Sequence, residues 1–359
     1  EEGDRKALRL VHSQLRDAVG EATTKLRVRL YEGAAAARPP TPRIGELDVS
    51  IPDLSGFEAL RARYYEEGGA AAARPPTPRR WPRIVELAVS LPNVSGLEAL
   101  CAEAWGGLHS LRVDCSPFGS QLDVPSARTL TAALRRMPAL RALDLGSVRL
   151  PEDAAEELFR ASSAAAAPQL RALTLHMADL SPAAARMLAA SGWRLEELVL
   201  RFSSDLGAAG VAALVAAPTF ALRRLSLVSC GLDAAALLSV ANAPWPLGEL
   251  DLGMNAFGAG AAGPLAALSL HVRLRKLDLC FCVLSAESFK ALVEAEWPAL
   301  THLGVTHADV AFDGPHALGA AAFAGFPSLE ELNLSEMALG EAGARLLASR
   351  RWARLQGLY

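Results

Sequence analysis

Cysteine, lysine, aromatic residues and long apolar runs are all scarce in this chain of 359 residues. The five cysteines (Cys101, Cys115, Cys230, Cys280 and Cys282) are odd in number and lack framework spacing. With no signal peptide visible, they fit a reducing, intracellular compartment (cytoplasmic, nuclear or axonemal) better than a disulfide scaffold. Lysine occurs only at Lys6, Lys25, Lys276 and Lys290, so nearly all of the 36 basic residues are arginine. The net charge is −3, which gives no bulk electrostatic claim on nucleic acid or on a membrane surface. The longest charge-free stretch, Leu252–Val272, is interrupted by Asn255, Pro264, His271 and four glycines, which make it a poor membrane span. Also missing are a P-loop, a G-x-S-x-G elbow and a G-x-G-x-x-G turn. The histidines are isolated, and neither His302 nor His307 has a cysteine or carboxylate at metal-ligand spacing. The sequence therefore predicts no catalytic residue, no cofactor and no metal site, and a protein that is not an enzyme.

What is abundant is apolar surface in a fixed register. Hydrophobic residues make up 51% of the chain and charged residues 21%, which permits a large core. The pattern L-x-x-L-x-L recurs at Leu140, Leu170, Leu195, Leu222, Leu247, Leu274, Leu300 and Leu329, with earlier copies at Ile44, Ile84 and Leu108. A degenerate copy is read at Leu26, and an unfinished one at Leu355. From Ile84 to Leu355 the intervals run from 24 to 32 residues. That period suits one short strand and one helix per unit. The alternating leucines supply the strand, with their side chains pointing inward.

The intervening segments read as helices. Ser181 caps Ala183–Ala190 with Pro182 at the first helical position, and Ser285 opens Ala286–Glu296. Gly207–Ala217, Asp233–Ala241 and Gly340–Ser349 are similar alanine-rich units. All six tryptophans precede the first strand position of a repeat by two or three residues, with Met137 and Phe326 in the same slot elsewhere. A sugar or cofactor site would not place tryptophan once per repeat, so these are core plugs where helix returns to strand.

Three residues past the third leucine stand Cys230, Asn255 and Cys282, so L-x-x-L-x-L-x-x-N/C-x-L fits at Leu222–Leu232 and Leu274–Leu284, and with Phe257 last at Leu247–Phe257. On these residues, residues 40–359 resemble the ribonuclease-inhibitor-like class of leucine-rich repeats. The resemblance implies an α/β solenoid, a horseshoe of about 12 repeats with a parallel sheet on the concave face and helices on the convex face. The expected organisation is a helical segment over 1–25 and repeats over 26–359, with Ala/Arg/Pro-rich insertions at 34–43 and 70–82. Those insertions belong to a tandem duplication, because residues 33–60 return as near copies in 69–100.

Residues 1–25 read as one amphipathic helix with Leu8, Val11 and Leu15 on one face. Asp4, Leu8, Arg9, Val11, Leu15 and Arg16 match D-x-x-x-L-R-x-V-C/S-x-x-L/W-R, so the segment resembles the second half of an F-box. His12 replaces the usual cysteine, and the leading Leu-Pro segment is absent. The resemblance implies docking of a Skp1-type adaptor through Leu8, Val11 and Leu15, and a substrate receptor of a cullin ubiquitin ligase. The alternatives are an N-terminal cap over the first repeat and a leucine-rich-repeat scaffold or enzyme regulator with no ubiquitin role. A first residue of Glu1 and an unfinished strand at Tyr359 lead us to expect a longer native chain.

Recognition is then left to the sheet face. Just after each strand the register presents Met177, Phe202, Ser229, Met254, Phe281 and His307. Beside this row run Asp144, Asp251 and Asp278, with Arg201, Arg224 and Lys276 at neighbouring positions. An apolar row rimmed by charge is the pattern of a protein-binding strip, with packing against the next repeat's loop as the competing reading.

Overall fold

The computed structural model describes residues 24–32, 43–51, 84–91, 106–115, 120–160, 167–306, 322–337 and 340–359. The predicted F-box-like positions Leu8, Val11 and Leu15, the residue His307 and both Ala/Arg/Pro-rich insertions, apart from Arg43 at the start of β2, lie outside them. The chain divides into two compact units, Glu1–Leu170 and Arg171–Tyr359.

The first unit holds strands β1 (Thr24–Glu32), β2 (Arg43–Ile51), β3 (Ile84–Leu91), β4 (Ser110–Cys115) and β5 (Ala142–Gly146). Strands β3, β4 and β5 run parallel, with Leu87, Leu111 and Leu143 in register and buried. Helices α1 (Val124–Leu134) and α2 (Glu152–Phe159) follow β4 and β5. Asp123 caps α1, accepting from the Ser126 amide at 2.8 Å.

The start of the array differs from the sequence reading. Leu26 does not open a parallel repeat strand, and Thr24 and Lys25 are strand rather than helix. β1 runs antiparallel between β2 and β3 and pairs with both. The duplication lets β1 pair with both: β2 and β3 are copies, and from Leu26 to Arg29 they offer β1 the same register. Leu26 lies opposite Val49 and Val89, Val28 opposite Leu47 and Leu87, and Arg29 opposite Glu46 and Glu86. Apolar alternation fixes which face a strand buries but carries no information on its direction.

The second unit is regular. Its strands are β6 (Ala172–His176), β7 (Glu197–Arg201), β8 (Arg224–Ser226), β9 (Glu249–Asp251), β10 (Lys276–Asp278), β11 (His302–Gly304), β12 (Glu331–Asn333) and β13 (Gly357–Leu358). They form one parallel sheet in chain order. The middle leucines of successive repeats stand side by side: Leu173, Leu198, Leu225, Leu250, Leu277, Leu303, Leu332 and Leu358. Helices α3 (Pro182–Ala190), α4 (Gly207–Val215), α5 (Ala234–Ala241), α6 (Ala262–Leu268), α7 (Ala286–Glu294) and α8 (Gly340–Ser349) alternate with the strands. Ser181, Asp233 and Ser285 cap α3, α5 and α7 by accepting from the amides of Ala184, Ala236 and Ser288. The architecture is an α/β leucine-rich-repeat solenoid.

The core lies between sheet and helices. Trp193, Trp245, Trp297 and Phe326 are buried in the second unit and Met137 in the first, as the once-per-repeat slot predicts; Trp352 is half-buried, and Trp81 and Trp105 lie outside the described residues. The turn residues Cys230, Asn255 and Cys282 are buried as well, and they form a relay. Each donates to a carbonyl at the end of the preceding repeat's strand: Cys230 Sγ to Leu200 at 3.1 Å, Asn255 Nδ2 to Leu227 at 2.8 Å and Cys282 Sγ to Leu252 at 3.1 Å. Asn255 Oδ1 also accepts from the amides of Cys230 (3.1 Å) and Leu232 (3.0 Å). Backbone groups that leave the ladder at the turn are satisfied in this way.

Candidate recognition face

Two positions in each repeat of the second unit project from the sheet, and a third caps the strand. The first projecting position reads Glu197, Arg224, Glu249, Lys276, His302 and Glu331 across adjacent strands, so acid alternates with base or histidine over most of the row. Arg224 bridges both neighbours, with Nη1 3.3 Å from Glu197 and Nη2 2.9 Å from Glu249. His302 Nε2 lies 3.6 Å from Glu331. The sequence alone points to Arg224 but not to Glu197 or Glu249. Placing the repeats in register was the signal that could have found them.

The second position reads Thr174, Val199, Ser226, Asp251, Asp278, Gly304 and Asn333. Here Asp251 and Asp278 face each other directly. Arg201 reaches over Ser226 to Asp251, with Nη2 3.1 Å from Oδ2, and Ser226 Oγ donates to the same oxygen at 3.0 Å. Both arginines named from the sequence are thus engaged within the face, and Asp251 is neutralised. Asp278 is exposed, accepts from the Cys280 amide at 2.8 Å, and forms no ion pair among the described residues. In the first unit Asp144 pairs with Arg112 at 2.6 Å.

The strand-capping position is the predicted apolar row. Met177, Phe202, Ser229, Met254, Phe281 and Glu336 all have positive φ, between 53° and 59°. This left-handed conformation costs an L-residue about 1–2 kcal/mol, and for a bulky side chain it is an outlier. The physical reason for it is visible in the hydrogen bonds. The amides of Met177, Phe202, Ser229, Met254 and Phe281 donate to Arg201, Val228, Gly253, Cys280 and Thr306 of the next repeat at 2.9–3.1 Å. The chain then drops the following residue (Ala178, Ser203, Cys230, Asn255 or Cys282) into the core. A single left-handed residue makes that bend and turns its own side chain outward.

Those side chains are exposed: Phe202 at 37%, Met254 at 49% and Phe281 at 55%. Met177 is half-buried. Phe202 meets His176 of the preceding repeat edge-on, with ring centroids 5.2 Å apart. The row is therefore not core, although Phe202 leans on its neighbour.

Burial pushes the thiols of Cys230 and Cys282 up to about 12. Cys280, half-buried beside the Asp278 carboxylate, is also raised to about 12, by burial first and by Asp278 second. None has thiolate character near neutrality. Among the described residues no three His, Cys, Asp or Glu side chains group as metal ligands, and no helix is long and apolar enough to cross a membrane.

No family model and no curated protein matches the sequence. Several solved structures are similar at low identity. An internalin, inlF, from Listeria monocytogenes shares 15% identity over 86% of this chain and 95% of its own, with a TM-score of 0.40. The structure of the Drosophila Toll–Spatzle complex gives 16% identity over 68% of this chain, with a TM-score of 0.36, and the match spans only 33% of that chain. The yeast Rad7–Elc1 complex gives 16% identity over 61% of this chain and 68% of that one, with a TM-score of 0.31.

Proposed function

We propose that the chain is a protein-recognition module that binds its target along the strand-capping row of the second unit. One observation carries the reading. Phe202, Met254 and Phe281 keep large apolar side chains exposed at backbone positions where glycine or asparagine would cost less. Strain of that kind persists where the side chain has a use, and exposed apolar side chains aligned along one edge suit a protein partner. Within this reading the adjoining ion-pair rows, Glu197–Arg224–Glu249 and Arg201–Asp251, hold a rigid polar border.

The finer assignment is a substrate receptor of a cullin ubiquitin ligase. Its support is the F-box-like match at Asp4, Leu8, Arg9, Val11, Leu15 and Arg16, with Leu8, Val11 and Leu15 as the contacts to a Skp1-type adaptor. The reading includes no enzymatic step and no cofactor.

A photo-cross-linking residue tests the recognition face. It is placed at Ser229, in the middle of the row, and separately at the exposed Leu238 of α5 as the helix-side control. A protein adduct from position 229 and none from 238 is expected. Equal adducts from both, or none from 229, would contradict the reading. The adaptor assignment is tested with purified Skp1-type adaptor and the 359-residue chain, against a deletion of residues 1–23, which leaves β1 whole. Binding lost on deletion is expected, and no binding by the full chain would leave a scaffold.

A further inference from the structure

The face is not electrostatically even, and its imbalance defines the chemistry of the partner. Three bases project from the strands or their ends: Arg201, Arg224 and Lys276. Arg201 is engaged by Asp251, and Arg224 by Glu197 and Glu249. Five carboxylates project beside them, at Glu197, Glu249, Asp251, Asp278 and Glu331, and Glu336 adds a sixth in the strand-capping row. The surplus is acidic, and it sits at the β10–β12 end.

Asp278 is the focus of that surplus. It stands directly opposite Asp251, a like-charge cross-strand pair that is unfavourable by itself. Arg201 relieves only the Asp251 side. The floor around Asp278 is lowered by two glycines. A Cβ at Gly304 would come within 2.9 Å of Cys280 Sγ and 3.3 Å of Asp278 Oδ1. A Cβ at Gly253 would come within 3.1 Å of the Cys280 carbonyl oxygen. Neither residue raises a side chain beside the carboxylate. Above this floor stand Met254 and Phe281, the two most exposed apolar members of the row, each three residues after the aspartate of its own strand.

An exposed carboxylate that forms no ion pair among the described residues, beside an apolar wall, is complementary to one kind of side chain, a cation on an apolar stem. Resting on the recognition reading above, we infer that the partner is a basic segment of another protein. It seats large apolar side chains against Met254 and Phe281 and places an arginine or lysine on Asp278. The charge pattern also selects against acidic segments, which would meet Asp278, Glu331 and Glu336.

The probe is a random twelve-residue phage-displayed library selected on the full chain. Selected peptides are synthesised, and their Kd is measured by fluorescence anisotropy at two salt concentrations. Three proteins are compared: wild type, Asp278→Asn and the double variant Met254→Ala/Phe281→Ala. Asp278→Asn keeps an oxygen for the Cys280 amide and removes the repulsion from Asp251, so its thermal midpoint should hold or rise. The inference expects peptides with Lys or Arg next to large apolar residues, about three- to tenfold weaker binding to Asp278→Asn, and less salt dependence in that variant. A purely structural role for Asp278 would not lower affinity while raising stability. Peptides that need Met254 and Phe281 but are acidic or neutral, or are indifferent to Asp278→Asn, would overturn the inference and leave the recognition face standing. Peptides indifferent to all the variants, or none selected, would overturn both.

Discussion

Asn255 is the residue whose removal the relay makes most costly. Its side chain is 3% exposed and takes part in five hydrogen bonds. The oxygen receives the amides of Cys230 and Leu232, and the nitrogen is shared among the carbonyls of Leu227, Leu252 and Gly253. Asn255→Ala leaves two buried amides without an acceptor, each costing about 1–3 kcal/mol. The expected loss is about 4 kcal/mol, a large part of the stability of an ordinary domain. Asn255→Cys should cost about 1–2 kcal/mol, because a thiol performs the same relay more weakly at Cys230 and Cys282. There the sulfur donates to the preceding strand's carbonyl and faces the amide of the preceding turn residue, Ser203 or Asn255. The assay is urea unfolding followed by tryptophan fluorescence, with Trp245 and Trp297 buried in the core of the same unit. Equal losses for the two variants, or less than about 1 kcal/mol for the alanine, would refute the relay as a source of stability. Met254 immediately precedes Asn255, so the alanine variant should also loosen the presentation of the row.

Other consequences are simpler to read. Ser203 fills the same turn slot, fully buried, and its hydroxyl has no hydrogen-bond partner among the described residues; Ser203→Ala should therefore raise the unfolding free energy by about 1 kcal/mol, as urea titration would show. The thiols of Cys230 and Cys282 are held neutral up to about pH 12, against an ordinary 9.0. Because their folded-state values are raised, their contribution is complete below pH 9 and is lost as pH rises toward 12. Each costs up to about 1.4 kcal/mol per pH unit in that window, and a Cys230→Ala/Cys282→Ala variant should show a shallower alkaline loss in thermal melts. Arg224→Met should cost about 0.5–1 kcal/mol at low salt, because the pairs to Glu197 and Glu249 are only half-shielded. The difference from wild type should shrink at high ionic strength.

The leucine register was legible because core burial forces it. A repeat that must stack its middle leucine on Leu250 or Leu277 has no freedom to shift. The serine and aspartate caps were legible for a similar reason, since each satisfies an amide that the helix leaves open. The identity of the apolar row followed from the same register, but its left-handed backbone did not. The usual sequence sign of positive φ is glycine or asparagine, and here the bend is made by Met, Phe, Ser and Glu. The pairing of Arg201 and Arg224 needed geometry across strands, because Arg201 reaches a carboxylate two repeats away. The direction of β1 was invisible, since KLRVRL alternates equally well in either sense.

On the proposed reading, Phe202, Met254 and Phe281 are displayed for a partner at a cost to the backbone. The triple variant Phe202→Gly/Met254→Gly/Phe281→Gly tests it most directly, read by thermal unfolding and by the Kd of peptides selected on the wild-type face. Relief of positive φ, about 1–2 kcal/mol per site, offsets glycine's extra unfolded-state entropy, about 0.5–1 kcal/mol, and the lost packing of the buried half of each side chain. Stability should stay within about 1 kcal/mol per site of wild type. Binding should fall by about two orders of magnitude, from about 1 kcal/mol of lost apolar burial at each of three sites. A collapse of the fold would show the row to be core, and undiminished binding would show the partner to sit elsewhere.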